Sequence, residues 1–154
     1  MNGRREVERL KARLDATFAR VGNTGTDIEA RSDFARYLCV LVSGYLQKAI
    51  QELATECCRR QSSPAVQRYA SAQIKNFQNP NSERVLQLVG SFDSSWRINL
   101  QDQYAPELEA CASVVALRHQ IAHGGSVSVS YDRIREYYNS VQMIVDALAD
   151  LFVP

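Results

Sequence analysis

The sequence predicts an all-helical bundle with short connections, and three observations lead to this fold class. Apolar residues recur at steps of three and four along most of the 154 residues, which is the period of an amphipathic helix. Prolines and most glycines fall between these segments, where helices begin and end. A chain of this length can bury roughly 70% of its unfolded surface, so its core needs no metal or disulfide. We therefore expect a single helical domain over residues 1–154.

The first two predicted helices carry clear apolar stripes. We expect residues 1–22 to form an N-terminal helix peripheral to the bundle, and its stripe consists of Val7, Leu10, Leu14, Phe18 and Val21. Thr26 and Glu29 predict a capping box at the start of the second helix. A glycine inside a helix costs about 1 kcal/mol relative to alanine, so Gly44 predicts the close approach of another backbone. The predicted core face of this long helix consists of Phe34, Tyr37, Leu38, Leu41, Tyr45, Ala49 and Leu53.

Proline and glycine signals delimit the remaining helices. Ser63 and Pro64 predict the start of a third helix that ends near Phe77, and Asn79 is predicted to cap the next one. A short helix is expected in residues 93–100, and a longer one in residues 106–123, which two glycines follow. The segment SVSVSY, residues 126–131, alternates and could form a brief strand. The last helix has the strongest stripe, which consists of Ile134, Tyr137, Val141, Ile144 or Val145, Leu148 and Leu151.

Composition and charge exclude several classes of protein. The net charge is +1, so an RNA site would have to be local and built from a few arginines. No apolar run approaches the length of a membrane span, and the charged N-terminus does not resemble a signal peptide. None of the four cysteines forms a CxxC pair. The sequence therefore predicts a reduced, cytoplasmic location without membrane contact.

The segment ALRHQIAHGG, residues 116–125, contains both histidines of the chain beside an arginine. Three interpretations of Arg118, His119 and His123 are open at this point. His119 and His123 are one turn apart, as in zinc sites, but the HExxH glutamate is missing and no third ligand is evident. We therefore expect no metal and no cofactor. The helix dipole alone also favours histidine or arginine near a helix C-terminus.

The third interpretation is phosphoryl chemistry without a metal. Cleavage of RNA by its own 2′-hydroxyl needs a proton acceptor, a proton donor and a cation over the phosphate. An imidazole exchanges protons near neutral pH, and a guanidinium holds two phosphate oxygens while it stays charged. Arg118 and His123 supply these groups. On an ideal helix they point about 140° apart, but His123 is expected at a frayed helix end, where its direction is not fixed.

The spacing of these two residues resembles the R-x4-6-H motif of the HEPN superfamily. VVALRHQIAHGG is especially similar to the RNxIAHG run of the RiboL-PSP-type branch, and His119 fits the polar position after the arginine. The resemblance covers much of the chain, including RSDFARYLCVLVSGYLQKAI, FQNPNSERVLQLVGSFDSSW and YDRIREYYNSVQMIV. It implies an HEPN-like helical bundle and, as in many members, a metal-independent ribonuclease.

The resemblance also implies roles and partners. Arg118 would clamp the phosphate in the transition state, His123 would act as general acid and base, and His119 would orient or contact the phosphate. Two protomers of the family bring their motifs together across a two-fold axis, which implies a homodimer that cleaves RNA to a 2′,3′-cyclic phosphate. A role in phage defence, stress or a toxin–antitoxin system is implied, with an antitoxin or defence partner protein. The alternative is a non-catalytic HEPN-like dimerisation or nucleotide-binding module that serves a partner protein.

A few further residues could contribute to RNA binding. Tyr131, Tyr137 and Tyr138 could stack on bases, although their helical spacing favours packing in a core or a dimer. Arg59 and Arg60 could line a phosphate path, although a solvated helix end is the favoured interpretation.

Overall fold

The computed structural model describes residues 2–23 and 27–154. Over these residues the chain forms seven α-helices and no strand, so the predicted all-helical fold class is confirmed. Single residues separate α4 from α5 and α5 from α6. The helices are α1 (Gly3–Asn23), α2 (Ile28–Gln61), α3 (Pro64–Lys75), α4 (Ser82–Phe92), α5 (Ser94–Gln103), α6 (Ala105–Ala122) and α7 (Tyr131–Phe152).

The central element is α2, which packs against α1, α3, α6 and α7. Its most buried side chains are spaced by three or four residues and so face the same side; they include Leu38, Val42, Leu46, Ile50 and Leu53. The predicted core face is wrong at its start, because Phe34 and Tyr37 are 40% and 54% exposed. Tyr37 lies about 100° around the helix axis from Leu38, on a side of α2 that is left largely exposed.

The predicted stripes of the first and last helices are largely confirmed. Four of the five stripe residues of α1 are buried, and Leu10 is partly buried against the same core. In α7, Tyr137 and Leu151 are the partly buried members of the stripe. Tyr138 is buried and stacks on Phe18 with the ring centroids 4.7 Å apart. This contact joins α7 to α1.

Polar residues precede the starts of α2 and α3, and the one before α2 caps it with its side chain. Thr26, on which the capping box was expected, lies outside the described residues. The N-cap of α2 is Asp27, whose carboxylate accepts the backbone N–H of Glu29 at 3.2 Å. The start of α3 is confirmed: Ser63 is its N-cap and Pro64 its first helical residue.

The start of α4 differs from the prediction. Asn81, and not Asn79, is its N-cap, and the Asn81 side-chain oxygen accepts the backbone N–H of Arg84 at 3.0 Å. An N-cap needs an extended backbone, which Asn81 has, whereas Asn79 adopts a φ of +53°. Asparagine tolerates this left-handed region better than most residues, so Asn79 forms the turn before the helix.

Two expectations about local structure are wrong. A Cβ atom added at Gly44 would meet no atom within 4 Å, so no backbone of the described residues approaches that glycine closely. Residues 126–130 form no strand. Their alternation instead buries Val127 and Val129, which are 8% and 6% exposed. The segment is an extended connection, held to α2 where Arg36 Nη1 donates to the carbonyl of Val127 at 3.4 Å.

The start of α1 is held against both α2 and the end of α7. A Cβ atom at Gly3 would lie 2.8 Å from the carbonyl oxygen of Glu52, so only glycine fits at this close approach. The next residue, Arg4, donates from Nε to the carbonyl of Val153 at 2.7 Å and from Nη2 to that of Ala149 at 3.1 Å. Residues 4 and 153 are therefore in direct contact.

The cysteines are all free thiols. Cys39, Cys57 and Cys111 are buried and Cys58 is partly buried. None of the helices in the described ranges is both long and apolar enough to cross a membrane.

Candidate functional site

The C-terminal end of α6 carries all three residues that the sequence singles out. Along this helix Cys111 is fully buried and Val115 is 7% exposed, so they define part of its inward-facing stripe. Arg118 occupies the next position of that stripe, seven residues after Cys111, but it is exposed. A guanidinium thus stands where the period of the helix calls for an apolar side chain. Such a conflict between local pattern and residue type is expected at functional sites.

The helix end is closed and not frayed, which corrects the expectation for His123. Gly124 adopts a φ of +74°, a left-handed conformation that glycine takes without steric cost. Its N–H donates to the carbonyl of Ile121 at 3.2 Å, and the N–H of Gly125 donates to that of Gln120 at 2.9 Å. These two bonds are a Schellman motif. His123, as the C-cap residue, donates its own backbone N–H to the carbonyl of His119 at 3.1 Å.

The structure brings the two histidines together. The ring centroids of His119 and His123 are 4.3 Å apart and their planes meet at 60°. Both side chains are exposed to solvent. Since His123 keeps a nearly helical backbone, the rings share one face of the helix, as residues four apart do.

The structure does not bring Arg118 to His123 within one chain. Over the described ranges the Arg118 guanidinium takes part in no hydrogen bond, ion pair or ring contact. Five residues along a helix correspond to about 140° of rotation, and the closed helix end leaves that divergence in place. One copy of the chain therefore presents a cation and an imidazole pair on different sides of the helix end.

The charge of this segment suits an anion. Residues 110–131 contain no aspartate or glutamate, and Arg118 is their only arginine or lysine. The negative end of the helix dipole opposes anion binding. However, the carbonyls of Gln120 and Ile121 are engaged by the two glycines and do not face a ligand as free acceptors.

The residues available fit zinc poorly. The described part of the chain holds no group of three or more His, Cys, Asp or Glu side chains able to share a metal ion. Two imidazoles alone leave two positions of a tetrahedral zinc site without a protein ligand. Cys111 is fully buried, and burial raises the pKa of its thiol to about 12, which disfavours the thiolate that binds metals.

The other residues singled out from the sequence have structural roles. Tyr131 and Tyr138 are buried, in agreement with core packing, and Tyr137 is partly buried. Arg59 and Arg60 both pair with Glu56, at 2.6 and 2.9 Å. Both arginines are thus paired with a carboxylate of their own helix, and we do not propose that they bind phosphate.

Sequence reasoning missed an exposed apolar strip on α2, which includes Tyr37 and Val40. The signal that could have revealed it is that α2 is apolar on more than one face. An amphipathic helix with a single buried face has polar residues on the opposite side.

Comparison with known proteins identifies the family of the chain. A model of the RiboL-PSP-HEPN family matches residues 4–153, which confirms the resemblance seen in the sequence. No curated protein and no solved structure matches the chain.

Proposed function

Because the chain belongs to the RiboL-PSP-HEPN family, whose HEPN domains are often ribonucleases, we propose that it is a metal-independent endoribonuclease. The 2′-hydroxyl of the substrate attacks the adjacent phosphorus and the bond to the 5′-oxygen breaks. One imidazole takes the proton of the 2′-hydroxyl, and a second, protonated imidazole gives a proton to the leaving 5′-oxygen. The products are a 2′,3′-cyclic phosphate and a 5′-hydroxyl.

The observation that carries the proposal is Arg118, which makes no hydrogen bond, ion pair or ring contact in the described ranges and lies on the inward-facing stripe of α6. It is next to His119 and five residues before His123, and these two exposed imidazoles are in contact. A guanidinium that only neutralised the helix end would not need this position. Arginine holds phosphate oxygens in pairs through its planar fork. Charge that develops on the phosphate in the transition state is the natural partner of such a cation.

We propose that a second copy of the chain completes the site. One His123 cannot be base and acid in the same step, and Arg118 lies about 140° around the helix axis from the His123 of its own helix. Two copies related by a two-fold axis would face each other with two arginines and two His123 rings. His119 packs against His123 and orients its ring, so it is assigned a supporting role.

Two substitutions test the residue roles in an assay with labelled RNA and EDTA. Arg118→Lys should lower the cleavage rate by about 10²–10³, because lysine keeps the charge but not the fork. His123→Ala should lower it by about 10²–10⁴. Both side chains are exposed, so unfolding free energies should change by less than about 0.5 kcal/mol.

The matched control is Arg68→Lys, which changes an exposed arginine of α3 in the same way and should leave cleavage unchanged. If Arg118→Lys cleaves RNA at the wild-type rate, Arg118 only supplies a positive charge at the helix end. If the wild-type protein cuts no RNA in total cellular RNA, the protein is instead a non-catalytic HEPN module.

Mixing experiments test the composite site. If each dimer has one site that needs both His123 rings, a heterodimer of wild type and His123→Ala is inactive. After subunit exchange in an equal mixture, a quarter of the dimers are wild-type homodimers, so the mixture should keep about a quarter of the activity of wild type at the same total protein concentration. If the two sites of a dimer were independent, it would keep about half. Sedimentation that shows only a 17.3 kDa species at micromolar concentration would contradict the dimer.

The proposal extends to a role in defence, stress or a toxin–antitoxin pair. Expression of the wild-type protein should then arrest growth, and His123→Ala should not. Equal growth with both proteins, at equal protein levels, would remove this part of the proposal.

A further inference from the structure

A groove runs along the surface between α1 and α2, away from the end of α6. It encloses about 730 Å³, and its floor is apolar, with Leu10, Val40 and Leu41 among the lining residues. Tyr37 and Val40 are 54% and 38% exposed. The groove follows residues 10–20 of α1 and 37–48 of α2, a length of about 16 Å at 1.5 Å per residue, or three turns of a helix.

The rim of the groove is cationic. Arg13 and Arg20 of α1 and Lys48 of α2 line it, and no aspartate or glutamate does. Lys48 is paired with Glu52 at 3.0 Å. Neither of the two arginines pairs with a carboxylate in the described ranges: Arg20 donates only to the hydroxyl of Thr17, at 3.1 Å. Both arginines therefore lack a direct carboxylate contact in those ranges, although Arg13 is near enough to Glu6 to contribute, after Arg9, to the lowered pKa of that carboxyl.

Gly44 lies in this groove, and no contact with the other described residues explains why a glycine is needed there. Glycine weakens a helix interior, and a Cβ atom at this position would meet nothing within 4 Å. No contact within residues 2–23 and 27–154 therefore excludes a larger residue. A glycine in an apolar helix face allows a second helix to approach closely, and no helix of those residues occupies that place.

The geometry points to a docking site for an acidic amphipathic helix of a partner protein, with its apolar face on the floor and its carboxylates against Arg13 and Arg20. Helices recognised in this way insert apolar residues at i, i+3, i+4 and i+7. The inference does not depend on the ribonuclease proposal.

Charge complementarity favours this occupant over two others. A second copy docked symmetrically through the same groove would place the arginines and Lys48 near their own counterparts, and like charges disfavour such a contact. The phosphates of RNA could pair with the cations of the rim, but the apolar floor has no group that binds a phosphate. Tyr37 is the one exposed aromatic ring among the lining residues, so few bases could stack there.

The test uses two fluorescein-labelled synthetic peptides of about 18 residues, long enough to form a helix in the groove. Both carry leucine at i, i+3, i+4 and i+7; one has glutamate at the flanking positions and the other has lysine. Fluorescence anisotropy with the full chain should show the acidic peptide binding at least about tenfold more tightly than the basic one, with an affinity that falls as salt rises.

Two variants locate the binding. Arg13→Glu with Arg20→Glu should reverse the preference between the peptides. Gly44→Leu should weaken the acidic peptide at least about tenfold, because the added side chain fills the floor. Circular dichroism and melting temperatures establish that each variant folds.

The matched control is Arg5→Glu with Arg68→Glu, which makes the same charge change at two exposed arginines that do not line the groove. This control should keep the wild-type preference for the acidic peptide. Gly44→Ala, a smaller change at the same position, should fold at least as well as wild type and weaken the acidic peptide less than Gly44→Leu does.

Four results would overturn the inference. The first is equal binding of both peptides, and the second is unchanged binding of the acidic peptide to the groove variants. The third is a dimer that Gly44→Leu converts to monomers, which would make the groove a contact between copies. The fourth is a lower affinity of Arg13→Glu with Arg20→Glu for single-stranded RNA, together with unchanged peptide binding. That result would make the groove an RNA-binding surface.

Discussion

Glu56 is a buried carboxylate whose replacement should lower the stability of the fold. Its side chain is 3% exposed and is held by Arg59 at 2.6 and 2.8 Å and by Arg60 Nε at 2.9 Å. The hydrogen bonds from Arg59, opposed by burial and assisted by Arg60, lower the pKa of this carboxyl from 4.5 to about 2. The substitution Glu56→Gln keeps the shape and removes the charge.

The pKa gives the size of the effect. At 1.36 kcal/mol per pKa unit, the lowered pKa corresponds to at most about 3.4 kcal/mol. The side chains of Arg59 and Arg60 are 57% and 39% exposed, so water screens the attraction and we expect about half of that limit, roughly 1.5–2 kcal/mol. The folded-state pKa of Glu56 is below its unfolded value, so this stabilisation is complete above about pH 4.5 and is lost as the pH falls towards 2.

Urea unfolding followed by circular dichroism measures the effect. We expect Glu56→Gln to lower the unfolding free energy by roughly 1.5–2 kcal/mol at pH 7, and the gap between variant and wild type to close between pH 4.5 and pH 2. Glu109→Gln is the control, because that exposed side chain has no hydrogen bond or ion pair in the described ranges. A gap that is the same at pH 7 and pH 3 would refute the electrostatic argument.

Two further predictions concern the helix end and the α1–α7 contact. Gly124→Ala should lower the unfolding free energy by about 1–2 kcal/mol, because φ is +74° there and a Cβ is strained in that region; an unchanged melting temperature would contradict it. Tyr138→Phe removes a hydroxyl that donates to the Asp15 carboxylate at 2.6 Å and should cost about 1.5–3 kcal/mol. Tyr131→Phe removes a donor to the carbonyl of Phe18 at 3.1 Å and an acceptor of Arg135 Nη1 at 3.2 Å. It should cost less in the same urea titration, because the exposed Arg135 side chain keeps water as a partner; equal costs would contradict this ranking.

The sequence predicts the helices well because each has a local cause. The stripes of α1 and α7, the Ser63–Pro64 start of α3 and the glycine pair after α6 depend on residues near each other in the chain. Asn79 does not cap α4, because the start of that helix is not fixed by the neighbouring residue types alone. Pro80 is compatible with a helix start or with a turn before one, and only the backbone angles decide that Asn81 is the cap.

The candidate site and the groove depend on contacts that helical spacing does not specify. The spacing of Arg118 and His123 locates them at one helix end, but it does not reveal the closed turn or the packed imidazole pair. Gly44 was expected to have an internal neighbour because a glycine inside a helix costs about 1 kcal/mol relative to alanine, but α2 has apolar residues on several faces. A periodic pattern does not specify which of those faces the rest of the chain covers.

The contact between residues 4 and 153 means that the polypeptide enters and leaves the bundle at one point. A domain of this kind can be inserted into a surface loop of another protein with short linkers, since the two ends of that loop need not separate. The entry point lies beside Glu52 of α2, whereas the segment after the α6 site contacts Arg36. Sixteen residues of helix separate them, about 24 Å, so a domain fused at either end would lie far from the C-terminal end of α6.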